Sequence, residues 1–345
     1  MPRVYLLASD PEPDTLLGTL APALPRDRFM VSTGQAPFLP LREPFAALRV
    51  AAKVVAFSPH ILHAIGPDAV KFASILTGIP QLGLGSQTKL ILTDPAMPDR
   101  NWLTRRAVWR ASQVIVSTHD ESHRLAVAGV PTNRLTVIPP GVDPDTPPPL
   151  DPVAFRQSLR IPESARIIVA AGRFDPNGAL ADLAFAFDVL KYPCPDCYLV
   201  FVGTGPERAR AERFAKGVGF DDYRTRFANP TTDLRAVLAL AELVWVPESS
   251  LAVPMALHAM ACGKAVVGTR TPALSAIIDD GVTGRFVAPG HRVGFAETAR
   301  ELLSQSDKLA AMGVVGRERA RENFLASQLV QRCAALYDDV IGSPR

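Results

Sequence analysis

Four segments in the second half of the chain contain residue types that could contact a ligand. They are Arg173, the turn Gly203-Thr204-Gly205-Pro206, Glu248 with the two serines after it, and His258. Glycines let backbone N–H groups approach a ligand closely, a guanidinium neutralises negative charge, and a helix N-terminus attracts it. Histidine adds a hydrogen-bonding ring. The turn 203–206, which ends a strand and opens a helix, is by itself a weak signal for a phosphate-bearing ligand.

Short apolar runs alternate with helical patterns along the whole chain. We expect strands near residues 4–8, 29–33, 61–65, 80–84, 113–117, 135–139, 166–172, 198–203, 224–228, 243–247 and 265–269. Such alternation is typical of parallel α/β architecture, in which ligands bind beyond the carboxyl ends of the strands. The fold class expected is therefore α/β, with two doubly wound parallel-sheet (Rossmann-like) domains that face a cleft.

Chain length and a proline-dense segment predict two domains. At 345 residues the chain is too long for one ordinary core. Residues 139–149 contain too many prolines to continue a helix or a central strand, which indicates a linker. The expected bounds are 1–145 for the first domain, 146–164 for the linker, 165–322 for the second domain and 323–345 for a C-terminal helix. Packing of that helix back on the first domain is one option.

Net charge, apolar runs and cysteine spacing indicate which classes of protein this chain does not resemble. A net charge of +3 is too small to argue for nucleic acid. Without an apolar run of about 18 residues or a signal peptide, a cytoplasmic protein is expected, with peripheral contact to the inner face of a membrane as an option. Cys194-Pro-Asp-Cys197 is a lone CxxC without the two further ligands that a structural zinc needs, which favours an ordinary loop. We expect no metal site.

Several motifs, in order, resemble those of one enzyme family. The matching segments are 58–66, 111–117 with 129–131, 135–143, 172–173, 203–206 and 246–268. Their order and spacing are similar to the family 4 glycosyltransferases, the group 1 retaining enzymes of the glycosyltransferase B fold. The resemblance covers almost the whole chain beyond about residue 50. It implies an acceptor-side first domain and a second domain that binds the nucleotide-sugar donor.

The resemblance implies a retaining, metal-independent transfer of a hexose from a nucleotide sugar to a glycan or lipid-linked acceptor, without a cofactor. In such enzymes the donor's own phosphate takes the acceptor proton, and the site works by binding and electrostatics. The positions that match the donor site are Arg173, Asn177, Gly203, Thr204, Gly205, Pro206 and His258. Polysaccharide biosynthesis is the expected setting.

The donor motifs are degenerate at positions that contact ligand. Asn177 stands where the family has a lysine beside the diphosphate, and His258 replaces the glutamate that accepts hydrogen bonds from the ribose. The other family glutamate has no clear counterpart, and the acceptor-side histidine aligns with Ser86. Candidates for a catalytic role are Ser86, Glu248, Ser250 and His258.

These losses leave other functions open. A catalytically impaired member would act as a nucleotide- or glycan-binding protein, or as a partner subunit of an active transferase. An epimerase acting on a nucleotide sugar is a further alternative, although its carboxylate acid–base groups have no evident place here. The donor nucleotide, the sugar, the acceptor and the oligomeric state are not specified by the sequence.

The segment Arg100–Arg110 is basic and aromatic. On a helix, Trp102, Arg106 and Trp109 would share one face. Such a face could rest on an anionic lipid surface. The alternative is a helix packed on the sheet with its arginines in solvent.

Overall fold

The computed structural model describes residues 1–9, 16–37, 43–84, 88–95, 101–144, 150–174, 180–218, 224–229, 232–249 and 251–342. The chain divides into two compact units. The first unit comprises Met1–Gly141 and Ala326–Arg345, and the second comprises Val142–Leu325. The domain bounds and the roles expected for the two domains stay predictions.

Among the described residues, each unit contains one sheet of six parallel strands. The first sheet has the order β2-β1-β3-β4-β5-β6, and the second β12-β11-β10-β7-β8-β9. The strands are β1 (Arg3–Ala8), β2 (Met30–Gln35), β3 (Ile61–Ile65), β4 (Lys89–Thr93), β5 (Gln113–Val116), β6 (Leu135–Val137), β7 (Arg166–Ala171), β8 (Cys197–Val202), β9 (Thr225–Phe227), β10 (Leu243–Val246), β11 (Ala265–Thr269) and β12 (Gly284–Val287).

Helices connect the strands and cover both faces of each sheet. They are α1 (Leu16–Ala23), α2 (Pro44–Phe57), α3 (Pro67–Leu76), α4 (Trp102–Arg110), α5 (His119–Val127), α6 (Pro152–Ser158), α7 (Leu180–Leu190), α8 (Arg208–Val218), α9 (Leu234–Leu240), α10 (Ala252–Ala261), α11 (Pro272–Ser275), α12 (Gly294–Leu303), α13 (Ser306–Asn323) and α14 (Ala326–Gly342). This doubly wound arrangement confirms the fold class expected from the sequence.

The central strands are apolar on both faces, because helices pack on each side of a parallel sheet. In β7, Ile167 and Val169 join the core on one face of the sheet, whereas Ile168 and Ala170 join the core on the other face. In the first unit, α2, α3 and α4 pack on one face, and α1 and α14 pack on the other. None of the helices in the described ranges has the length and apolar content that a bilayer crossing requires.

One predicted strand is wrong, and one strand of the second sheet was not predicted. The expected strand at 80–84 is a 3-10 turn over Pro80–Leu82. Pro80 begins the turn and has no backbone N–H to donate to a sheet, and Gly83 ends the turn with a φ of 68°. The fourth strand of the first sheet is Lys89–Thr93, further along the chain. The sequence reading also missed β12, a four-residue edge strand.

The C-terminal helix α14 is part of the first unit. It buries Leu329, Cys333 and Tyr337 against the face of the sheet that also holds α1. The fully buried His63 on β3 lies 2.7 Å from the Tyr337 hydroxyl through Nδ1 and 2.7 Å from the Thr93 hydroxyl through Nε2. A strand and a helix far apart in sequence are therefore joined by one buried polar chain.

Candidate functional site

The carboxyl edge of the second sheet contains a topological switch point between β7 and β10. The chain runs outward in one direction from β7 to β8 and β9, and in the other direction from β10 to β11 and β12. In open α/β sheets a crevice opens where the strand order reverses, and ligands bind there. Arg173 follows β7 and Glu248 follows β10, so both predicted residues lie at the ends of the two strands that border this crevice.

Two loops at this edge interlock through their backbones. The Gly172 N–H donates to the Val202 carbonyl at 3.2 Å, and the Phe174 N–H donates to the Thr204 carbonyl at 2.8 Å. The Glu207 N–H returns a bond to the Phe174 carbonyl at 3.0 Å. These bonds fix the backbone on both sides of Arg173, so its half-buried side chain starts from a defined position.

Glycine is required where the two loops cross. A Cβ on Gly203 would lie 1.9 Å from the Gly172 carbonyl oxygen, and one on Gly205 would lie 2.5 Å from the Phe174 carbonyl oxygen. Both glycines have a positive φ, 142° and 145°. The sequence predicts close approach to a ligand here, and the structure shows that these glycines let one loop approach the other.

Arg208 holds the 203–206 turn from the helix side. Its guanidinium donates to the Gly203 carbonyl at 2.5 Å and to the Ala228 carbonyl at 2.6 Å, and pairs with Glu212 at 3.1 Å. The same group lies over the rings of Phe174 and Phe227. Sequence reasoning missed this residue, although an arginine two positions after Gly203-Thr204-Gly205-Pro206 signals a cation close to the turn. Its contacts make it a support for the turn.

Helix α10 begins at the same edge, after β10. Its N-cap residue is Leu251, and among the described residues no side chain accepts a hydrogen bond from its first turn. The Ala252 N–H donates to the Ser249 carbonyl at 3.2 Å. Buried apolar side chains such as Met255 and Met260 anchor the helix in the core. Pro254 has no N–H, and the Met255 N–H donates to the Leu251 carbonyl at 3.0 Å. The helix start therefore offers the crevice the positive end of the helix dipole and, from its first turn, at most the Val253 N–H.

His258 and Glu248 occupy different surroundings. His258 lies inside α10 and is half-buried, whereas Glu248 lies in the exposed loop between β10 and α10. The Glu248 carboxylate is therefore accessible to a ligand at the carboxyl edge. Thr204, also half-buried, and the exposed Pro206 complete the predicted set in this part of the chain. Ser86, Asn177 and Ser250 lie outside the described residues.

The alignment of Ser86 with the acceptor-side histidine depended on the strand at 80–84. Since β4 ends at Thr93, the residue that follows the fourth strand is Asp94. Asp94 is exposed and has a φ of 49°, a conformation that aspartate tolerates better than most residues. The carboxylate of Asp94 therefore stands where the sequence reading placed a serine hydroxyl.

In the first sheet, the helix at the corresponding position, α3, has a side-chain cap at its N-terminus. The first sheet reverses its strand order between β1 and β3, and α3 follows β3. Ser9, directly after β1, accepts hydrogen bonds through Oγ from the Asp68 and Ala69 N–H groups, both at 3.0 Å. Sequence reasoning missed this cap because its partners lie about sixty residues further along the chain.

The CxxC pair lies at the opposite, amino edge of the second sheet. Cys194 and Cys197 are both buried, and the Cys197 N–H donates to the Cys194 carbonyl at 3.1 Å. Burial raises the pKa of the Cys197 thiol to about 12, so it is protonated at neutral pH. Within the described ranges, no three His, Cys, Asp or Glu side chains cluster as metal ligands.

Residues 165–305 match the family model described as glycosyl transferases group 1. The N-acetyl-alpha-D-glucosaminyl L-malate synthase of Bacillus anthracis is 25% identical over 278 residues, which cover 79% of this chain and 69% of the synthase. The D-inositol 3-phosphate glycosyltransferase of Kribbella flavida is 31% identical over 242 residues. That match covers 66% of this chain and 56% of the relative.

Solved structures match the fold over nearly the whole chain. HepE of Anabaena, in complex with UDP and glucose, has a TM-score of 0.76 at 20% identity and covers 98% of this chain and 99% of its own. Sucrose-phosphate synthase of Thermosynechococcus elongatus has a TM-score of 0.78 at 17% identity and covers 100% of both chains. The fold is the glycosyltransferase B fold. The match to the group 1 glycosyl transferase family model, over residues 165–305, lies within the second unit.

Proposed function

We propose that the chain transfers a hexose from a nucleotide sugar, with retention of configuration, to a glycan or lipid-linked acceptor. The observation that carries this proposal is the carboxyl edge of the second sheet. There the interlocked loops fix the backbone of Arg173, and α10 begins with an open N-terminus. A diphosphate leaving group needs fixed positive charge as its bond to the sugar breaks, and both features supply it.

Each surviving group has a separate task in this proposal. Arg173 binds the diphosphate through its guanidinium, and the start of α10 adds the Val253 N–H and the positive end of the helix dipole. His258 accepts one hydrogen bond from the ribose, since a neutral imidazole has one acceptor nitrogen. The exposed Glu248 contacts the sugar hydroxyls in this proposal. A phosphate oxygen of the donor takes the proton of the acceptor hydroxyl, and no metal enters the proposed step.

UDP is the first nucleotide to test, because HepE, a neighbour in fold, has been solved in complex with UDP and with UDP-glucose. We expect UDP to bind, as measured by titration calorimetry. Arg173→Ala should weaken binding roughly 10- to 100-fold, the worth of hydrogen bonds to a charged group. Arg210→Ala is the matched control, since its 76% exposed side chain lies on the adjacent helix α8. It should leave UDP affinity within about two-fold of wild type.

Failure of UDP, GDP, ADP, CDP and dTDP to bind would contradict any donor-binding role. Equal loss in the Arg173→Ala and Arg210→Ala variants would show that the site has been placed wrongly. Release of UDP from UDP-glucose with a glycan acceptor, with retained anomeric configuration by NMR, distinguishes transfer from binding alone. Persistence of that activity in excess EDTA checks the metal-independent step.

A second candidate is a binding protein without transfer activity, favoured by the position of His258. A histidine inside α10 replaces a carboxylate that offers two acceptor oxygens. Under this reading UDP-glucose binds and no UDP is released. The double substitution Asn177→Lys and His258→Glu restores the family residues, and donor affinity should rise. Unchanged affinity would mean that these two residues do not contact the donor.

A further inference from the structure

Helix α2 is unusually apolar for its exposure. Its sequence over Pro44–Phe57 is Pro-Phe-Ala-Ala-Leu-Arg-Val-Ala-Ala-Lys-Val-Val-Ala-Phe, yet only Val54 is fully buried. Phe45 is 80% exposed and Leu48 is 67% exposed. A surface helix of a globular domain normally turns its apolar side inward and its charged side to water. In α2 both sides are mainly apolar, which indicates a second contact on the outward side.

The outward side of α2 is defined by helical spacing. The exposed residues of this face are Phe45, Leu48, Arg49, Ala52, Lys53 and Ala56. They recur at intervals of three and four, so they share one stripe along the helix. The opposite stripe, with Val54 and the half-buried Val50, packs on the core of the first unit. The outward stripe carries two cations and no carboxylate.

Helix α4 adds a second apolar and basic stripe in the same layer. Its Ala107 and Val108 pack on the same core as α2, so both helices cover one face of the first sheet. Trp102 is 64% exposed and Trp109 is 50% exposed, with the exposed Arg105 between them. The sequence reading placed Arg106 with the tryptophans, but its guanidinium lies against Gly78 at the end of α3.

We propose that the outward stripes of α2 and α4 dock on an anionic lipid bilayer. Phe45, Leu48 and Trp102 would enter the boundary between headgroups and acyl chains, where indole and phenyl rings are favoured. Arg49 and Lys53 would pair with lipid phosphates. Ala52 and Ala56 have short side chains, so the rest of the α2 stripe does not project and the helix can lie parallel to the membrane surface. The proposal concerns the first unit alone and does not depend on nucleotide-sugar binding.

Charge argues against a second copy of the chain as the occupant. In a two-fold symmetric pair the same patch meets itself, so two α2 stripes would bring Arg49 and Lys53 of one copy close to the same cations of the other. No carboxylate on the stripe offsets that repulsion. An anionic bilayer offers both an apolar layer and the opposite charge, which is the complement of this surface.

Vesicle sedimentation tests the proposal with the full-length chain and no nucleotide. The chain should sediment with vesicles of phosphatidylcholine and phosphatidylglycerol at 3:1, and much less with pure phosphatidylcholine. Binding should weaken as salt is raised, because screening reduces the attraction. Arg49→Gln with Lys53→Gln should lower the partition coefficient roughly 30-fold. Phe45→Asp with Leu48→Asp should abolish binding.

Two further measurements keep the result interpretable. Val314→Asp is the matched control, because it charges a 58% exposed valine in the second unit, and it should bind as wild type does. Lipids brominated near the headgroup should quench the tryptophan emission of the unaltered chain, since two of its three tryptophans lie on the outward stripe of α4. This readout does not depend on any variant folding.

Three outcomes would overturn the proposal. The first is equal sedimentation with neutral and anionic vesicles, or none with either. The second is vesicle binding that survives the Phe45→Asp, Leu48→Asp change in a variant with an unaltered melting temperature. The third is a dimer in analytical ultracentrifugation that the same change dissociates, because α2 would then be an interface between copies. Loss of UDP binding would leave this proposal untouched.

Discussion

The two units place a helix N-terminus at equivalent points of their sheets, and they treat it in opposite ways. In the first unit, Ser9 Oγ accepts the N–H groups of Asp68 and Ala69 and closes the start of α3. In the second unit, α10 starts at Leu251 without a side-chain cap from the described residues. One fold thus occurs twice in the chain, and within the described residues only the start of α3 is closed by a side chain.

The capped start of α3 and the uncapped start of α10 differ in what they contribute: one to stability, the other to binding. A side-chain cap stabilises its helix by about 1 kcal/mol and removes the donors that would hold a phosphate. The start of α10 has no such cap among the described residues, and its Val253 N–H and helix dipole face the crevice. The comparison therefore favours the second unit in the proposal for the anion.

Gly203→Ala should have the largest effect, because it breaks the support of the open site. The new Cβ would lie 1.9 Å from the Gly172 carbonyl oxygen, at a φ of 142° that side chains rarely adopt. Backbone must move on both loops, so we expect a loss of at least about 3 kcal/mol from the unfolding free energy of the second unit. Urea denaturation measures it, and UDP binding should be lost with it.

Gly83→Ala is the control for that variant, since a Cβ at Gly83 meets no atom of the described residues within 4 Å although its φ of 68° is also positive. It should cost about 1 kcal/mol, the strain of the backbone conformation alone. Equal losses in the two variants would show that contact between the loops contributes nothing.

The next largest effect is expected from acid pH, which should change the stability of the two units differently. Burial lowers the pKa of His63 from 6.5 to about 3, so the native imidazole stays neutral while the unfolded one gains a proton below pH 6.5. The unfolded state then binds one more proton at His63, so the His63 contribution to stability falls as pH falls, by about 1.4 kcal/mol per pH unit between pH 6 and pH 4. The pKa of Asp94 in the same unit is raised to about 7 by desolvation and by the Glu121 carboxylate, which acts in the opposite direction, so the His63 contribution is measured as a difference between variants. The second unit has no fully buried histidine among its described residues.

His63→Gln tests this source of acid sensitivity. Glutamine can bond the same hydroxyls and does not titrate, so the variant should lose the added slope between pH 6 and pH 4. Urea midpoints measured at half-unit steps of pH check it. An unchanged slope would mean that other groups cause the acid loss.

Ser9→Ala should have the smallest effect and bears most directly on the comparison. It removes the cap of α3, so we expect a loss of about 1 kcal/mol from the first unit and no change in UDP affinity. Ser9→Thr, which keeps a hydroxyl, is the control and should retain most of the stability. A fall in UDP affinity with Ser9→Ala would place the diphosphate at the first unit.

The sequence predicted the elements whose signal is local and missed those set by distant contacts. Most strands are short apolar runs that can be predicted from local sequence alone, as Val4–Ala8 can. The turn at Pro80–Leu82 was wrongly predicted as a strand because it contains apolar residues. The fourth strand of the sheet begins later, at Lys89. The short edge strand β12 has half-buried Arg285 and Phe286, so its pattern lacks an apolar run.

The candidate site divides in the same way. Arg173 and the 203–206 turn are recognisable because their residue types follow strands directly. The role of Gly203 as a crossing point of two loops is not, since its partner Gly172 is thirty-one positions away. Ser9 and its cap of α3 are similarly hidden, because only the parallel pairing of β1 with β3 brings them together.

The C-terminal helix makes the first unit discontinuous, which orders the folding of the chain during synthesis. Residues 142–325 of the second unit leave the ribosome before α14 does, although the first unit began earlier. Until Tyr337 arrives, His63 and the apolar face beneath it have no cover from α14. We therefore expect the second unit to reach its native state first, while the nascent first unit exposes the part of that sheet face that α1 does not cover.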